Sequence, residues 1–135
     1  MQKLNIAILS YRSAKYGGGQ GVYVKDISMA LSIMGHKVDV ISGPPYPELY
    51  KDVRLIKLPG LNLFETFSFK DRFKKLIKKK KKSINDYYEF ISVFFGGFPE
   101  MKTFGDRANI FIKNNSNYDV IIDNQSISYG MIEIQ

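Results

Sequence analysis

The sequence has no cysteine and no tryptophan, and His36 is the single histidine among its 135 residues. Without cysteine the chain can form neither disulfides nor thiolate metal sites, which fits a reducing compartment. A metal site or a Ser-His-Asp triad would have to rest on His36 alone. Long hydrophobic runs are also absent: the first apolar run stops before Tyr11 and Arg12, and no window of about 18 apolar residues could span a bilayer. We therefore expect neither an export signal nor a membrane span.

Positive charge is concentrated in one segment of the chain. The net charge is +7, and residues 70–82 carry nine basic residues against the single acid Asp71, so the remainder is close to neutral. This distribution argues against a nucleic-acid binder with a broad positive face. With 44% hydrophobic and 14% aromatic residues, the chain has enough apolar material for the core of one globular domain.

The first 42 residues predict a strand, a helix and a second strand. Residues 3–9 form a short apolar run typical of a buried strand, residues 21–36 show helical spacing that stops at Gly35, and residues 37–42 predict strand two. The apolar face of this helix is expected to comprise Val22, Tyr23, Ile27, Ala30, Leu31 and Met34. A strand–helix–strand unit has parallel strands and a right-handed crossover. The predicted fold class is therefore α/β, a Rossmann-like parallel sheet with flanking helices.

Further elements extend this pattern. Residues 53–59 predict a third strand, and residues 118–125 predict a fourth, buried strand. Between them, residues 101–115 read as a helix with one apolar face, made of Phe104, Ala108, Phe111 and Ile112. Because a doubly wound sheet normally continues beyond this point, we expect the sequence to be truncated.

The stretch "YGGGQGVYV", residues 16–24, places four glycines directly before the first helix. Glycines at a helix N-terminus let a diphosphate approach backbone N–H groups and the positive end of the helix dipole. The dinucleotide fingerprint G-x-G-x-x-G fails at Val22, no Walker lysine is present, and strand two ends in Ser42 and Gly43 without an acid for a ribose. The alternative is a turn that only lets the helix pack close to the sheet.

The combination of these pieces resembles the N-terminal domain of glycosyltransferase family 4. The resembling pieces are the first strand, the "GGGQG" loop, the helix ending in "GH", the following strand, "FGGFPEMKTFGDRA" and "YDVIIDNQSISYG". The resemblance implies a GT-B architecture, in which residues 1–135 are an incomplete acceptor-side Rossmann-like domain and the C-terminal donor-binding domain is absent. It also implies that His36 belongs to a packing corner.

The implied activity is retaining transfer of a sugar from a nucleotide-sugar donor to a glycan, lipid-linked or small-molecule acceptor, with no metal and no cofactor. By the same resemblance, Gly18 and Gly19 lie beside the donor diphosphate, and we add Gln20 to this edge. No catalytic residue can be assigned within the fragment, and the isolated fragment is expected to be inactive without a C-terminal domain or a completing subunit.

Candidate acceptor-binding residues follow two of the predicted strands. Asp123, Asn124 and Gln125 follow strand four, and Tyr11 and Arg12 follow strand one, at the strand ends where open α/β sheets bind ligands. The alternative for Asp123 and Asn124 is capping of a following helix. The loop "GGFPE", residues 96–100, is interpreted either as a lining of the acceptor cleft or as a turn between helices.

The basic segment permits a second interpretation of function. An apolar helical stripe runs beside lysines, as in helices that bind anionic membrane surfaces. The candidate contacts with a membrane or a partner are Phe69, Phe73, Lys74, Lys75, Lys78 and Lys79. The alternative function is thus a stand-alone, non-catalytic module that docks on an anionic membrane or a partner through residues 70–82. The alternative without a docking function is that the apolar stripe of this helix packs on the sheet and that its lysines are a solvated face. We expect a cytoplasmic protein, peripheral on the inner face of the membrane if the helix docks there, and no nucleic-acid partner.

Overall fold

The computed structural model describes residues 2–14, 19–115 and 117–124. Within them, four parallel strands form one sheet in the order β3-β2-β1-β4. The strands are β1 (Asn5–Ser10), β2 (Lys37–Ser42), β3 (Arg54–Lys57) and β4 (Val120–Asp123). The helices are α1 (Gly19–Ile33), α2 (Phe69–Lys78), α3 (Ile84–Ser92) and α4 (Glu100–Asn114), and a 3₁₀ turn (Val93–Phe95) follows α3.

The core lies on both faces of the central strands β1 and β2. Successive side chains of a strand point to opposite faces, so Ile6 and Ile8 pack with Val24 of α1, whereas Ala7 and Leu9 pack with Phe104 of α4. Ala108 and Ile112 extend the α4 side of the core, as the helical spacing predicts, and Phe111 is partly buried against it. The predicted α/β, Rossmann-like parallel sheet with flanking helices is therefore confirmed.

The predicted apolar face of α1 is wrong in part. Val22, Tyr23 and Met34 are more than half exposed, and Ala30 is also exposed. The residues of α1 that are buried are Gly21, Val24 and Ser28, and Ile27 and Leu31 pack against the core at their edge. Two of the three buried residues are small, and Gly21 lies directly against the backbone of Ala14, which follows β1. The helix therefore buries a side with fewer large apolar residues than the spacing suggested.

The prediction of a buried fourth strand is also wrong for the described residues. Val120 and Ile121 are both more than a third exposed. The reason is topological: among the described strands β4 lies at the edge of the sheet and pairs only with β1. The apolar run was correct as a strand signal, but the run itself could not distinguish an edge position from a central one.

The corner between α1 and β2 has the predicted form. Gly35 has a φ of 92°, a backbone conformation that favours glycine and ends the helix. Next to it, the Nδ1 atom of His36 accepts a hydrogen bond from the backbone N–H of Leu4 at 3.2 Å. This contact confirms that His36 has a packing role at the start of β1.

The two middle helices form a small layer of their own. Leu76 of α2 is buried with Leu61 and Leu63, and Phe90 of α3 packs against this group. The buried part of the apolar stripe of α2 thus packs against α3 and the loop after β3. The alternative prediction, that this stripe packs on the sheet, is wrong.

Candidate functional site

The carboxyl ends of the four strands meet at one edge of the sheet. Tyr11 follows β1, Gly43 follows β2, Leu58 follows β3 and Asn124 follows β4. The backbone N–H of Asn124 donates to the carbonyl of Leu9 at 3.1 Å, which fixes the end of β4 to β1. Ligands of open α/β sheets bind in the crevice at this edge, so these strand ends are the candidate functional site.

The glycine-rich loop opens onto α1, and its glycines fall into two classes. Lys15 to Gly18 lie outside the described residues, so the predicted role of Gly18 is not placed. Gly19 and Gln20 are the first, exposed residues of α1. A Cβ on Gly19 would meet nothing within 4 Å among the described residues, whereas a Cβ on Gly21 would lie 2.4 Å from the carbonyl oxygen of Ala14. Gly21 therefore permits close packing, as the turn interpretation expects, and Gly19 borders open space.

Arg12 is held in a fixed position at the same edge. Its Nη2 atom bonds the Oε1 of Glu65 at 2.9 Å, and its Nη1 atom lies 4.0 Å from the Oε2 of Glu100. Its guanidinium also stacks 3.9 Å above the centre of the Phe64 ring. Tyr11, the other predicted residue after β1, is partly buried against the core. The sequence suggested Arg12 but gave no sign of these three partners.

Two adjoining cavities open beside Arg12. One, of about 390 Å³, is lined by Tyr11, Arg12 and Met101, and the other, of about 330 Å³, reaches Leu63 and the 96–100 loop. They share Phe64, Phe98 and Glu100 as lining residues. The loop "GGFPE" thus borders a cavity next to Arg12, and its role in an acceptor cleft stays a prediction.

Asp123 is the last residue of β4 and is exposed, and Asn124 follows it at the edge. Neither residue lines the two cavities beside Arg12. Gln125 lies outside the described residues. The acceptor role of these three residues therefore stays a prediction.

Glu89 of α3 is buried, and no sequence pattern singled it out. Its carboxylate accepts the backbone N–H of Leu61 at 2.8 Å, the hydroxyl of Thr103 at 2.6 Å and the Nη1 of Arg107 at 2.7 Å. These bonds join the loop after β3 to α3 and α4. A charge that is almost fully buried requires such partners, but the sequence shows an ordinary glutamate on a helix.

Asp86 completes the same buried network. It accepts hydrogen bonds from Lys79 at 2.5 Å, from Arg107 at 3.0 Å and from the backbone N–H of Ser83 at 2.8 Å. Burial raises the pKa of the Asp86 carboxyl, but the bonds from Lys79 and Ser83 outweigh it and hold that pKa below its usual range. The spacing of Ser83 and Asp86, which form a capping box at the start of α3, is the one sequence signal that could have drawn attention to this residue.

The candidate docking residues of α2 divide into exposed and occupied groups. Phe69, Phe73, Lys74 and Lys78 are exposed. The two Phe rings also contact α3, since Phe90 lies about 6 Å from both of them. In contrast, the Nζ of Lys75 bonds the carbonyl of Asn62 at 2.6 Å, and Lys79 bonds Asp86. Both ammonium groups are thus engaged within the chain.

Neither a membrane-spanning helix nor a metal-binding cluster occurs in the described part of the chain. No helix there is long and apolar enough to cross a bilayer. No group of three or more histidine, aspartate or glutamate side chains there could hold a metal ion.

The parallel sheet, with its strand ends and the start of α1 at one edge, defines an α/β protein of the Rossmann-like class. No protein-family model matches the chain. The chain is, however, 41% identical over 133 residues, 97% of its length, to the MMP alpha-(1->4)-mannosyltransferase of Mycolicibacterium hassiacum. It spans 32% of the length of that relative. The similarity supports the glycosyltransferase resemblance at the level of sugar transfer.

Proposed function

We propose that this chain is the N-terminal, acceptor-side domain of a retaining glycosyltransferase with the GT-B architecture, of the family 4 type. The observation that carries the proposal is the 41% identity, along nearly the whole chain, to an alpha-(1->4)-mannosyltransferase. The parallel sheet with helices on both faces is consistent with such a domain. Because the chain spans about a third of that relative, the donor-binding domain would lie in another part of a longer polypeptide or in a completing subunit.

The donor diphosphate would bind at the start of α1, beside Gly18, Gly19 and Gln20. Two observations support this position: Gly19 borders open space, and no acidic side chain occupies the first turn of α1. During transfer the bond from the anomeric carbon to the diphosphate oxygen breaks and leaves its electron pair on that oxygen. A bond from the anomeric carbon to the acceptor hydroxyl oxygen forms, and the hydroxyl proton passes to the leaving diphosphate. Backbone N–H groups at a helix start stabilise the charge that develops on the leaving phosphate. This chemistry requires neither a metal nor a further cofactor.

The acceptor would bind at the carboxyl edge of the sheet, near Tyr11 and Arg12. Glu65, Glu100 and Phe64 contact the guanidinium of Arg12 from three sides and fix the plane of its N–H donors. Donors that are fixed in advance lose little entropy when a substrate hydroxyl binds to them. Asp123, Asn124 and Gln125 belong to the same proposed site from the β4 side.

The test is an activity assay of the natural gene product. The reading frame is followed past codon 135, the whole product is expressed, and transfer is measured with nucleotide-sugar donors of mannose and, as controls, of glucose and galactose. We expect transfer by the whole product and none by residues 1–135 alone. A whole product that transfers no sugar from any of these donors would overturn the proposal.

A second candidate function is docking on an anionic membrane surface through α2, with a cytoplasmic location on the inner leaflet. It is favoured by the exposure of Phe69, Phe73 and Ile77 on α2, next to exposed lysines, each of which is worth about 1 kcal/mol near an anionic leaflet. Such binding requires no second domain and weakens with salt.

This candidate is tested by co-sedimentation with vesicles of anionic and of zwitterionic lipids. The informative variant changes Lys78, Lys80, Lys81 and Lys82 to Gln and keeps Lys79, because Lys79 neutralises the buried Asp86. If α2 docks on a membrane, the wild type should bind anionic vesicles but not zwitterionic ones. This binding should be lost in high salt and in the variant. Vesicle binding that is unchanged by high salt and by the four substitutions would exclude docking through α2.

A further inference from the structure

The two cavities beside Arg12 form one groove, here called the aromatic groove. Its walls come from the loop after β3, with Phe64 and Phe67, and from the loop before α4, with Phe98. The rings of Phe64 and Phe98 lie 6.1 Å apart, centre to centre. Each cavity has a volume within the range of about 300–1,000 Å³ that small-molecule sites occupy.

The aromatic rings of the groove are exposed to an unusual degree. Phe67 is 87% and Phe98 is 73% exposed. Contiguous exposed apolar surface, in contrast to single exposed side chains, marks an interaction site. A ligand that covers these rings must therefore present apolar surface of its own.

The other end of the groove is polar and carries both signs of charge. Arg12 reaches it together with Glu100, whose Oε1 accepts the backbone N–H of Leu63 at 2.9 Å and of Phe64 at 3.2 Å. Glu65, which binds Arg12, is itself mostly exposed.

A second guanidinium, that of Arg72, also lines the groove, and its Nε donates to the carbonyl of Thr66. Since both guanidiniums are bonded within the chain and the carboxylates of Glu65 and Glu100 balance their charge, the groove offers no surplus positive charge to an anionic headgroup and suits a neutral ligand with many hydroxyls.

We propose that the aromatic groove binds sugar units of a neutral acceptor saccharide, next to the unit whose hydroxyl reacts. A pyranose ring has an apolar C–H face, which stacks on aromatic rings, and a rim of hydroxyls, which bond Arg12 and the second oxygen of Glu100. The groove begins at Tyr11 and Arg12, so a saccharide chain lying in it continues directly from the proposed acceptor position. The inference rests on the proposed function, and it selects a glycan among the acceptor classes.

The experiment measures binding of mannose and of α-(1→4)-linked mannotetraose to the natural gene product, by calorimetry and by saturation-transfer NMR, without donor. The test variant is Phe98→Ala. The matched control is Phe95→Ala, because Phe95 is 86% exposed three residues away but lines neither cavity. We expect Phe98→Ala to weaken tetraose binding about tenfold, as loss of one aromatic stacking contact implies, and to leave mannose binding unchanged.

Equal tetraose binding by the wild type, Phe98→Ala and Phe95→Ala would overturn the proposal, as would an equal loss in both variants. Loss of vesicle binding in Phe98→Ala, with no saccharide binding by the wild type, would also overturn it in favour of a lipid surface. Because the binding assay needs no catalysis, a product that binds the tetraose through Phe98 but transfers no sugar would keep the groove and refute the proposed function.

Discussion

Alanine at Gly19 and at Gly21 should have opposite effects, although the two glycines are two residues apart at the start of α1. A Cβ on Gly21 would lie 2.4 Å from the carbonyl oxygen of Ala14, well inside contact distance. The obstacle is backbone, which cannot rotate away as a flexible side chain can. Gly21→Ala should therefore lower the free energy of unfolding by about 1–3 kcal/mol, the usual cost of overpacking.

Gly19→Ala meets no atom of the described residues within 4 Å, and Gly19 is the first residue of the helix α1, a conformation that alanine adopts readily. Removing a glycine restricts the unfolded chain, so this change should raise stability by about 0.4–1 kcal/mol. If the donor diphosphate binds at this edge, however, the added methyl group separates phosphate and N–H groups, and kcat/KM should fall by about a hundredfold.

Urea unfolding of the natural gene product, followed by circular dichroism, measures both stabilities, and hydrogen exchange of the α1 amides assigns the change to this helix. Sugar transfer by the same two proteins supplies the functional comparison. Wild-type stability of Gly21→Ala would refute the packing argument. Wild-type transfer by a stable Gly19→Ala would refute the placement of the diphosphate.

Three further predictions concern the buried polar groups. Arg107→Met should lower the free energy of unfolding by about 3–5 kcal/mol in urea titrations, because it leaves Asp86 and Glu89 buried with one cation fewer. The pKa of Asp86 is lowered in the folded state, so its ionised carboxylate contributes fully to the free energy of unfolding above the unfolded pKa of about 3.9, and this contribution is lost as the pH falls through the folded pKa. Urea midpoints measured between about pH 3 and 5 should therefore change less steeply with pH in Asp86→Asn than in the wild type. Tyr118→Phe should cost about 1.5–3 kcal/mol, because the hydroxyl donates to the Asp39 carboxylate at 2.7 Å. Burial and this bond raise the pKa of Tyr118 to about 12, so the wild-type advantage should be complete below about pH 10 and disappear as the pH rises through 12.

The chain order of the four strands and of α1, α2 and α4 could be predicted from the sequence because it depends on local patterns, whereas α3 was not predicted. The apolar runs of β1 and β2, the stop at Gly35 and the apolar face of α4 all have a period or a turn residue that the sequence displays. The buried side of α1 could not be predicted, because Gly21 and Ser28 are buried although neither is a large apolar residue. The exposure of β4 depends on its place in the sheet, which no run of residues specifies.

The candidate site was predictable to a smaller extent. Arg12 could be suggested from its position after β1, but its orientation depends on Glu65 and Glu100, which are 53 and 88 positions away along the chain, the first of them joined to it by a 2.9 Å bond. The aromatic groove likewise joins residues from two separate loops. Contacts of this kind depend on tertiary packing, whereas the basic run that dominated the sequence supplies mainly surface charge.

Two carboxylates, the buried Glu89 and the partly buried Glu100, connect the fold of this chain to the geometry of its groove. Glu89 binds the loop after β3 to α4 through Leu61 and Thr103, and Glu100 binds the same loop again through Leu63 and Phe64. A hydrophobic contact would stabilise these elements at a lower desolvation cost, but it would not fix the direction of the backbone N–H groups. The guanidinium of Arg12 stacks on the ring of Phe64. Because the two carboxylates hold the loop that contains Phe64, they also set the distance between the aromatic wall and the polar end of the groove. In the proposed saccharide site, a sugar would stack its apolar face on the aromatic wall and bond the polar end with its hydroxyls. Both contacts can form together only if the distance between the wall and the polar end is constant.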